Sequence, residues 1–166
     1  SSKGTTTVTI DGGTIETAQG GGGGAGIGGG QGSTGQTTVT IKDGTIKNST
    51  GGNLGDGIGG GKESTNITVK IEGGTIETAQ GGQSYMFYDA GDGIHSDGSL
   101  TISSKATIGS AIGGKDDSSD IKGKAGHGIY SKYGLTIEGK IGTAKGGDAT
   151  ASGKNGGDGI HTDGKY

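Results

Sequence analysis

The stretch TTVTIDGGTIETAQ, residues 6–19, recurs along the chain as TTVTIKDGTIKNST at 37–50 and ITVKIEGGTIETAQ at 67–80. Shorter versions, SLTISSKATIGSA at 99–111 and GLTIEGKIGTA at 134–144, bring the number of copies to five. Each copy holds two short runs of β-branched residues, which are typical of strands. A third run follows a glycine-rich corner, and it reads GAGIGGG, GDGIGGG, GDGIHSDG, GHGIYSKYG and GDGIHTDG. Three strands per copy predict one turn of a solenoid.

The repeat predicts that equivalent side chains of successive coils stack in files about 4.8 Å apart. Four apolar files would fill a narrow core, and they read Val8, Val39, Val69, Leu100, Leu135; Ile10, Ile41, Ile71, Ile102, Ile137; Ile15, Ile46, Ile76, Ile108, Ile141; and Ile27, Ile58, Ile94, Ile129, Ile160. Charges that alternate along the outward files favour the same alignment, and they read Asp11, Lys42, Glu72 and Glu16, Lys47, Glu77. Because parallel crossovers are right-handed, we expect an all-β, right-handed parallel β-helix of about five coils, each with three short strands.

We expect the whole chain, residues 1–166, to form one domain with uncapped ends. The coils would cover approximately residues 5–36, 37–66, 67–98, 99–133 and 134–166. The 45 glycines and the hydrophobic content of 25% would suit a disordered segment, but the periodic strands favour order. Glycine suits corners that need positive φ, and the absence of proline suits strands that must donate hydrogen bonds.

The composition also excludes several classes of function. The net charge is −3 and no lysine-rich stripe alternates with aromatic residues, so we expect no nucleic-acid partner. No apolar run approaches the ~20 residues that span a bilayer, so we expect no membrane insertion. Without cysteine, the chain has no disulfide or thiolate site.

Longer loops in the last three coils mark one corner as the working face. All the aromatic residues and histidines follow residue 84, and Ile94, Ile129 and Ile160 facing inward would turn their successors outward as one file. Aromatic rings beside polar groups suit carbohydrate. The candidate ligand-binding residues are Tyr85, Phe87, Tyr88, His95, Tyr130, Tyr133 and His161. The alternative is that Met86 and Phe87 pack over the corner as a satellite core.

The phrase GDGIHSDG, residues 91–98, and its copy GDGIHTDG, residues 157–164, offer carboxylates suited to calcium. The candidate ligands are Asp92, Asp97, Asp158 and Asp163, with Asp89, Asp116, Asp117 and Asp120 in the loops. The alternative is a metal-free ladder of alternating charge, since His127 would lie between Asp92 and Asp158. That ladder predicts that His127 is easier to protonate than a free imidazole. Nothing marks a strained nucleophile or an oxyanion hole, so we expect no enzyme.

The segments GDGIHSDGSLTISSKATI, GDGIHTDG and GAGIGGG, with the VTIDGGTIETAQGG coils, resemble carbohydrate-binding β-helix domains of bacterial surface proteins. That family includes the polysaccharide-lyase-like cellulose- and pectin-binding domain of clostridia. The resemblance implies a non-catalytic, extracellular polysaccharide binder in which Asp92, Asp97, Asp158 and Asp163 hold calcium. The first two coils depart from the pattern, because GIGGG replaces the GIxxDG phrase there.

Three functions therefore stay open. The first is polysaccharide binding outside the cell or on a bacterial surface. The second is a structural subunit of an extracellular filament, in which uncapped coils of successive copies stack head to tail. The third is ice binding by the outward threonine files Thr7, Thr38, Thr68, Ser99 and Thr9, Thr40, Lys70, Thr101, Thr136, although Lys70 interrupts the second file.

Overall fold

The structure, a computed structural model, describes residues 4–85, 87–118 and 123–164. These residues form an all-β solenoid of about five turns, and none of them is helical. The described part of the chain accordingly contains no helix long and apolar enough to cross a membrane. The predicted β-solenoid is thus confirmed.

Each of the last three coils contributes three strands, whereas each of the first two contributes two. The first two coils contain β1 (Thr6–Gln19), β2 (Ile27–Gly28), β3 (Thr37–Thr50) and β4 (Ile58–Gly59). The third contains β5 (Ile67–Ile71), β6 (Gly74–Gln80) and β7 (Ile94–Ser96). The fourth contains β8 (Leu100–Ile102), β9 (Ala106–Ile112) and β10 (Ile129–Ser131), and the fifth contains β11 (Leu135–Ile137), β12 (Lys140–Lys145) and β13 (Ile160–Thr162).

The strands form two sheets in which every pairing is parallel. The larger sheet has the order β11-β8-β5-β3-β6-β9-β12, and β1 also pairs with β3. The smaller sheet has the order β13-β10-β7-β4-β2. Its register places Ile27, Ile58, Ile94, Ile129 and Ile160 in one file, as predicted. The pairings of the larger sheet likewise confirm the other three apolar files.

In the first two coils the first and second strands are continuous, which the sequence did not predict. Gly12 and Gly44 turn this corner with φ of 117° and 100° while pairing continues on both sides. The sequence predicted that Asp11 stacks beside Lys42. The register shifts at the corner, however, and Asp11 pairs with Asp43. The side chains partly compensate, since Lys42 Nζ lies 3.9 Å from Asp11 Oδ2.

The core is a narrow column of isoleucine, valine and leucine from both sheets. Burial is complete in the middle coils, where Ile58, Ile94 and Ile129 have no exposed surface, and incomplete in the last coil, where Ile160 is 46% exposed. The corners beside this column are packed backbone against backbone. A Cβ atom on Gly91 would lie 1.9 Å from Gly55 O, so no side chain fits there.

A pair of glycines closes the corner loop of every coil. The N–H of Gly55 donates to Gly52 O at 2.9 Å, and only two residues lie between them. In the third coil, the N–H of Gly91 donates to Gly82 O at the same distance, although residues 83–90 intervene. The corresponding pairs are Gly21 and Gly24, Gly114 and Gly126, and Gly147 and Gly157. We call these hydrogen-bonded glycine pairs the necks of the loops.

Candidate functional site

A groove of about 390 Å³ runs along the corner where the long loops leave the solenoid. Its lining comes from four successive coils, and it includes Asp56, Asp92, His95, Tyr130 and His161. The outward positions of β7, β10 and β13 supply the last three of these, because their inward neighbours fill the isoleucine file. The corner before β7 adds Asp92, and its equivalent one coil earlier adds Asp56.

The outward file contains a column of aromatic rings. Tyr130 is paired with His95 on one side and with His161 on the other, as predicted. The ring centroids of Tyr130 and His161 are 5.7 Å apart with an interplanar angle of 10°, and those of His95 and Tyr130 are 4.7 Å apart at 33°. His127 also stacks on His161, with centroids 4.4 Å apart. Rings stacked in this way cover part of one another's faces.

His95 lies between two carboxylates of its own repeated phrase. Its Nδ1 is 2.7 Å from Asp92 Oδ2, and its Nε2 is 3.5 Å from Asp97 Oδ1. Burial lowers the pKa of His95, but the surrounding carboxylates of Asp56, Asp92 and Asp97 outweigh burial and hold that pKa well above its usual value. Burial likewise raises the pKa of Asp97, but hydrogen bonds from His95 and from Ile67 N–H leave it below its usual value.

Asp56 is the buried carboxylate of this cluster. It is only 7% exposed, and its Oδ1 and Oδ2 accept the N–H groups of Asp92 and Gly60, both at 2.8 Å. Burial raises the pKa of Asp56 to about 7 against the opposing effect of His95, and the charge of Asp92 adds to the rise. The cluster thus concentrates negative charge around one imidazole in a place that water reaches poorly.

The second phrase repeats this arrangement nearer the surface. Nδ1 of His161 is 2.6 Å from Asp158 Oδ2, and Nε2 is 3.0 Å from Asp163 Oδ1. The hydrogen bond with Asp158 is the largest of the effects that raise the pKa of His161. Tyr130 donates its hydroxyl to Asp163 Oδ2 at 2.6 Å, and this bond lowers the pKa of Asp163. The duplicated phrase therefore encodes a histidine held between two aspartates in both coils.

His127 departs from the sequence prediction. Its pKa lies below the usual value, because burial outweighs the nearby carboxylates and the charge of His161 acts in the same direction as burial. The hydrogen bonding agrees with this direction, since the N–H of Asp158 donates to His127 Nδ1 at 3.0 Å and therefore needs that nitrogen unprotonated. The stacking of the coils is nevertheless as predicted, so the error concerned desolvation and not register.

Four of the predicted ligand-binding aromatics do not line the groove. Phe87 is 58% exposed, which contradicts the satellite core for this residue, while Met86 and Asp120 lie outside the described residues. Tyr88, the residue before Asp89, is exposed, and Lys62 Nζ lies 3.5 Å above its ring. Tyr85 is also exposed and its hydroxyl accepts a hydrogen bond from Asn53, whereas Tyr133 borders a separate groove of about 470 Å³.

The residues predicted to hold calcium fit that ion poorly. Asp92 and Asp97 do not face each other across an open space, because His95 lies between their carboxylates. His161 lies between Asp158 and Asp163 in the same way. Calcium prefers six to eight oxygen ligands, and each pair instead surrounds an imidazole. Calcium binding at these four aspartates stays a prediction.

Asp56 and His127 are not among the residues that the sequence predicts for the site, although both line the groove. Asp56 occupies the position of Asp92 one coil earlier, so its place in the file was a usable signal. Glu63 and Lys124 also line the groove, but they come from corners whose course the repeat does not predict.

A buried ion pair joins two of the long loops. Isolated parallel bridges link Ser84 to Asp116 and Asp116 to Ala149, so the three long loops stack as the coils do. Lys154 Nζ lies 2.6 Å from Asp116 Oδ2, and the two side chains are 4% and 0% exposed. The Ser118 hydroxyl accepts a further hydrogen bond from Lys154 at 2.7 Å. This pair fixes the loops of the fourth and fifth coils to each other.

The fold and this site define a β-solenoid with a polar, histidine-rich groove along one corner. Comparison of the chain with protein-family models, with curated proteins and with solved structures finds no match. The function is therefore inferred from the geometry of the groove.

Proposed function

We propose that this protein is a non-catalytic, extracellular β-solenoid that binds polysaccharide along the groove of its later coils. The observation that carries the proposal is the groove itself, which crosses four coils and is lined by carboxylates, imidazoles and a tyrosine. Because its lining comes from four stacked coils, it suits an extended chain of sugars better than a compact ligand.

The polar lining would form hydrogen bonds with the hydroxyl groups of the sugars. The imidazoles of His95 and His161 line the groove, and carboxylates such as Asp89 and Asp163 supply hydrogen-bond acceptors. Exposed tyrosines of the third-coil loop would supply the flat apolar surfaces that sugar C–H groups contact. Tyr88 directly precedes Asp89, which lines the groove, and Tyr85 is exposed on the same loop.

The test removes Tyr85 and Tyr88, the two exposed tyrosines of this loop, without altering the core. We expect Tyr85→Ala combined with Tyr88→Ala to weaken polysaccharide binding roughly 30-fold, since each lost ring contributes about 1 kcal/mol. Pull-down on cellulose and affinity electrophoresis in pectin and β-glucan gels measure this binding. Tyr133→Ala is the matched control, because this exposed aromatic borders the separate groove and does not belong to the loop that carries Tyr85 and Tyr88. No binding by the unaltered chain, or equal loss in the control, contradicts the proposal.

The same assays with a chelator test calcium separately. If calcium at Asp92, Asp97, Asp158 and Asp163 supports the groove, chelation should weaken binding and added calcium should restore it. Binding that is unaffected by chelator would contradict the calcium prediction and leave polysaccharide binding standing.

A second candidate function, the filament subunit, is favoured by apolar side chains exposed on the fifth coil. Ile137 and Ile160 are 40% and 46% exposed, whereas their file neighbours Ile102 and Ile129 are fully buried. A first coil of another copy stacked there would cover them. We expect Ile160→Lys to abolish any filaments seen by negative-stain electron microscopy. Compact monomers of the unaltered chain at high concentration would contradict this function.

A further inference from the structure

Three side chains from two neighbouring coils converge at the floor of the groove. Asp56 and Asp92 occupy equivalent corner positions, and each is only 7% exposed. His95 Nδ1 is 2.7 Å from Asp92 Oδ2 and 3.9 Å from Asp56 Oδ2. One ligand atom from each of the three residues therefore lies within 4.8 Å of the other two.

Backbone N–H groups hold the carboxylates in this orientation. Asp56 Oδ1 accepts from Asp92 N–H, and Asp92 Oδ1 accepts from His127 N–H at 2.6 Å. Asp56 Oδ2 also accepts the N–H of Gly60 at 2.8 Å, and both Oδ2 atoms lie within 3.9 Å of His95 Nδ1. The glycine-rich corner thus fixes the ligand atoms before any ligand arrives.

The far side of His95 carries a second feature that points to a metal. Its Nε2 is 3.5 Å from Asp97 Oδ1, and Asp97 Oδ2 is itself fixed by the N–H of Ile67 at 3.1 Å. Histidine ligands of metals almost always donate their other N–H to a carboxylate or carbonyl, which sets the tautomer and raises the basicity of the ligating nitrogen. For a metal bound at Nδ1 of His95, Asp97 is the carboxylate that faces the other ring nitrogen, Nε2.

We propose that Asp56 Oδ2, Asp92 Oδ2 and His95 Nδ1 bind a divalent transition-metal ion, of which Zn²⁺ is the first to test. The metal would replace the proton on Nδ1, which leaves to solvent. One imidazole and two carboxylates form a donor set that Zn²⁺ accepts, and its charge would balance the two buried carboxylates. Calcium would bind more weakly, because it prefers six to eight oxygen ligands.

The repeat provides a comparison within the same molecule. His127, Asp158 and His161 occupy the equivalent positions two coils further on. There, however, His127 Nδ1 already accepts the N–H of Asp158, and the two imidazoles stack with planes 18° apart. Nearly parallel stacked rings direct their in-plane lone pairs past each other and not at one point. We therefore assign the metal to the first cluster and use the second as a control.

The test is isothermal titration calorimetry of the untagged chain with ZnCl₂ and, separately, with CaCl₂. We expect one zinc site per chain, and we expect Asp97→Asn to weaken it by about 10- to 100-fold. His95→Gln should remove it, whereas His161→Gln should leave the dissociation constant unchanged. Zinc binding that survives His95→Gln but is lost in His161→Gln, or calcium binding at equal affinity, would overturn the assignment.

A measurement on the unaltered chain covers variants that fail to fold. Long-range ¹H–¹⁵N NMR of the His95 ring should show the Nδ1 resonance moving on addition of one equivalent of zinc while Nε2 stays protonated. An unmoved Nδ1 resonance would exclude the site. Because these readouts need no polysaccharide, they can succeed or fail independently of the proposed function.

Discussion

The buried ion pair between the long loops allows a quantitative prediction. Lys154→Met keeps most of the side-chain volume but leaves the carboxylate of Asp116, which has no exposed surface, without its ammonium partner. Breaking a buried pair from one side costs about 3–5 kcal/mol. For a chain of this size that loss corresponds to a fall in melting temperature of roughly 6–20 °C. Chemical and thermal unfolding followed by circular dichroism measures both quantities.

An exposed pair on the same coil is the matched control. Lys145 Nζ lies 3.3 Å from Asp148 Oδ2, but both side chains are more than half exposed. Lys145→Met should therefore change the free energy of unfolding by less than ~1 kcal/mol. Combining Lys154→Met with Asp116→Asn should recover part of the loss, because no buried charge is left alone. Equal effects of the two lysine substitutions would refute this reasoning.

Two further predictions concern the corner and the outer histidine. Gly91→Ala should destabilise the chain by about 1–3 kcal/mol or more, because the new Cβ would lie 1.9 Å from Gly55 O. A Cβ at Gly21 would have no atom within 4 Å, so Gly21→Ala is the control. It should leave the stability unchanged in the same thermal melts. By NMR titration, His161 should have a pKa above 6.5, and Asp158→Asn should lower it. Since folding raises this pKa, the stability contributed by His161 is complete below the unfolded value of 6.5 and is lost as pH rises through the folded value. A pKa at or below 6.5 in the unaltered chain would contradict the geometry.

The repeat predicted the coil architecture well, because inward side chains of a solenoid must stack on chemically similar neighbours. The file from Ile27 to Ile160 and the outward file of His95, Tyr130 and His161 are confirmed for this reason. The register shift at Asp11 was not predictable from alignment, because it depends on how the glycine corner turns.

The details of the site were less predictable, since they depend on desolvation and on loops outside the repeat. Counting neighbouring charges gave the wrong direction for the pKa shift of His127, because burial lowers this pKa more than the nearby carboxylates raise it. The pairing of Asp116 with Lys154 brings together residues of two different loops, and no period in the sequence relates them. Asp56 was visible in its file, but its burial, which makes it chemically distinctive, was not.

The necks of the loops have a consequence for the loop lengths that the solenoid can tolerate. The glycine hydrogen bond at the neck has the same length whether two residues or the segment 83–90 lies beyond it, so the loop length does not alter the separation at its base. Lengthening a flexible segment costs only about 0.6 kcal/mol per doubling. Segments beyond the neck could therefore be exchanged or extended between Gly82 and Gly91 with no compensating substitution in the isoleucine column.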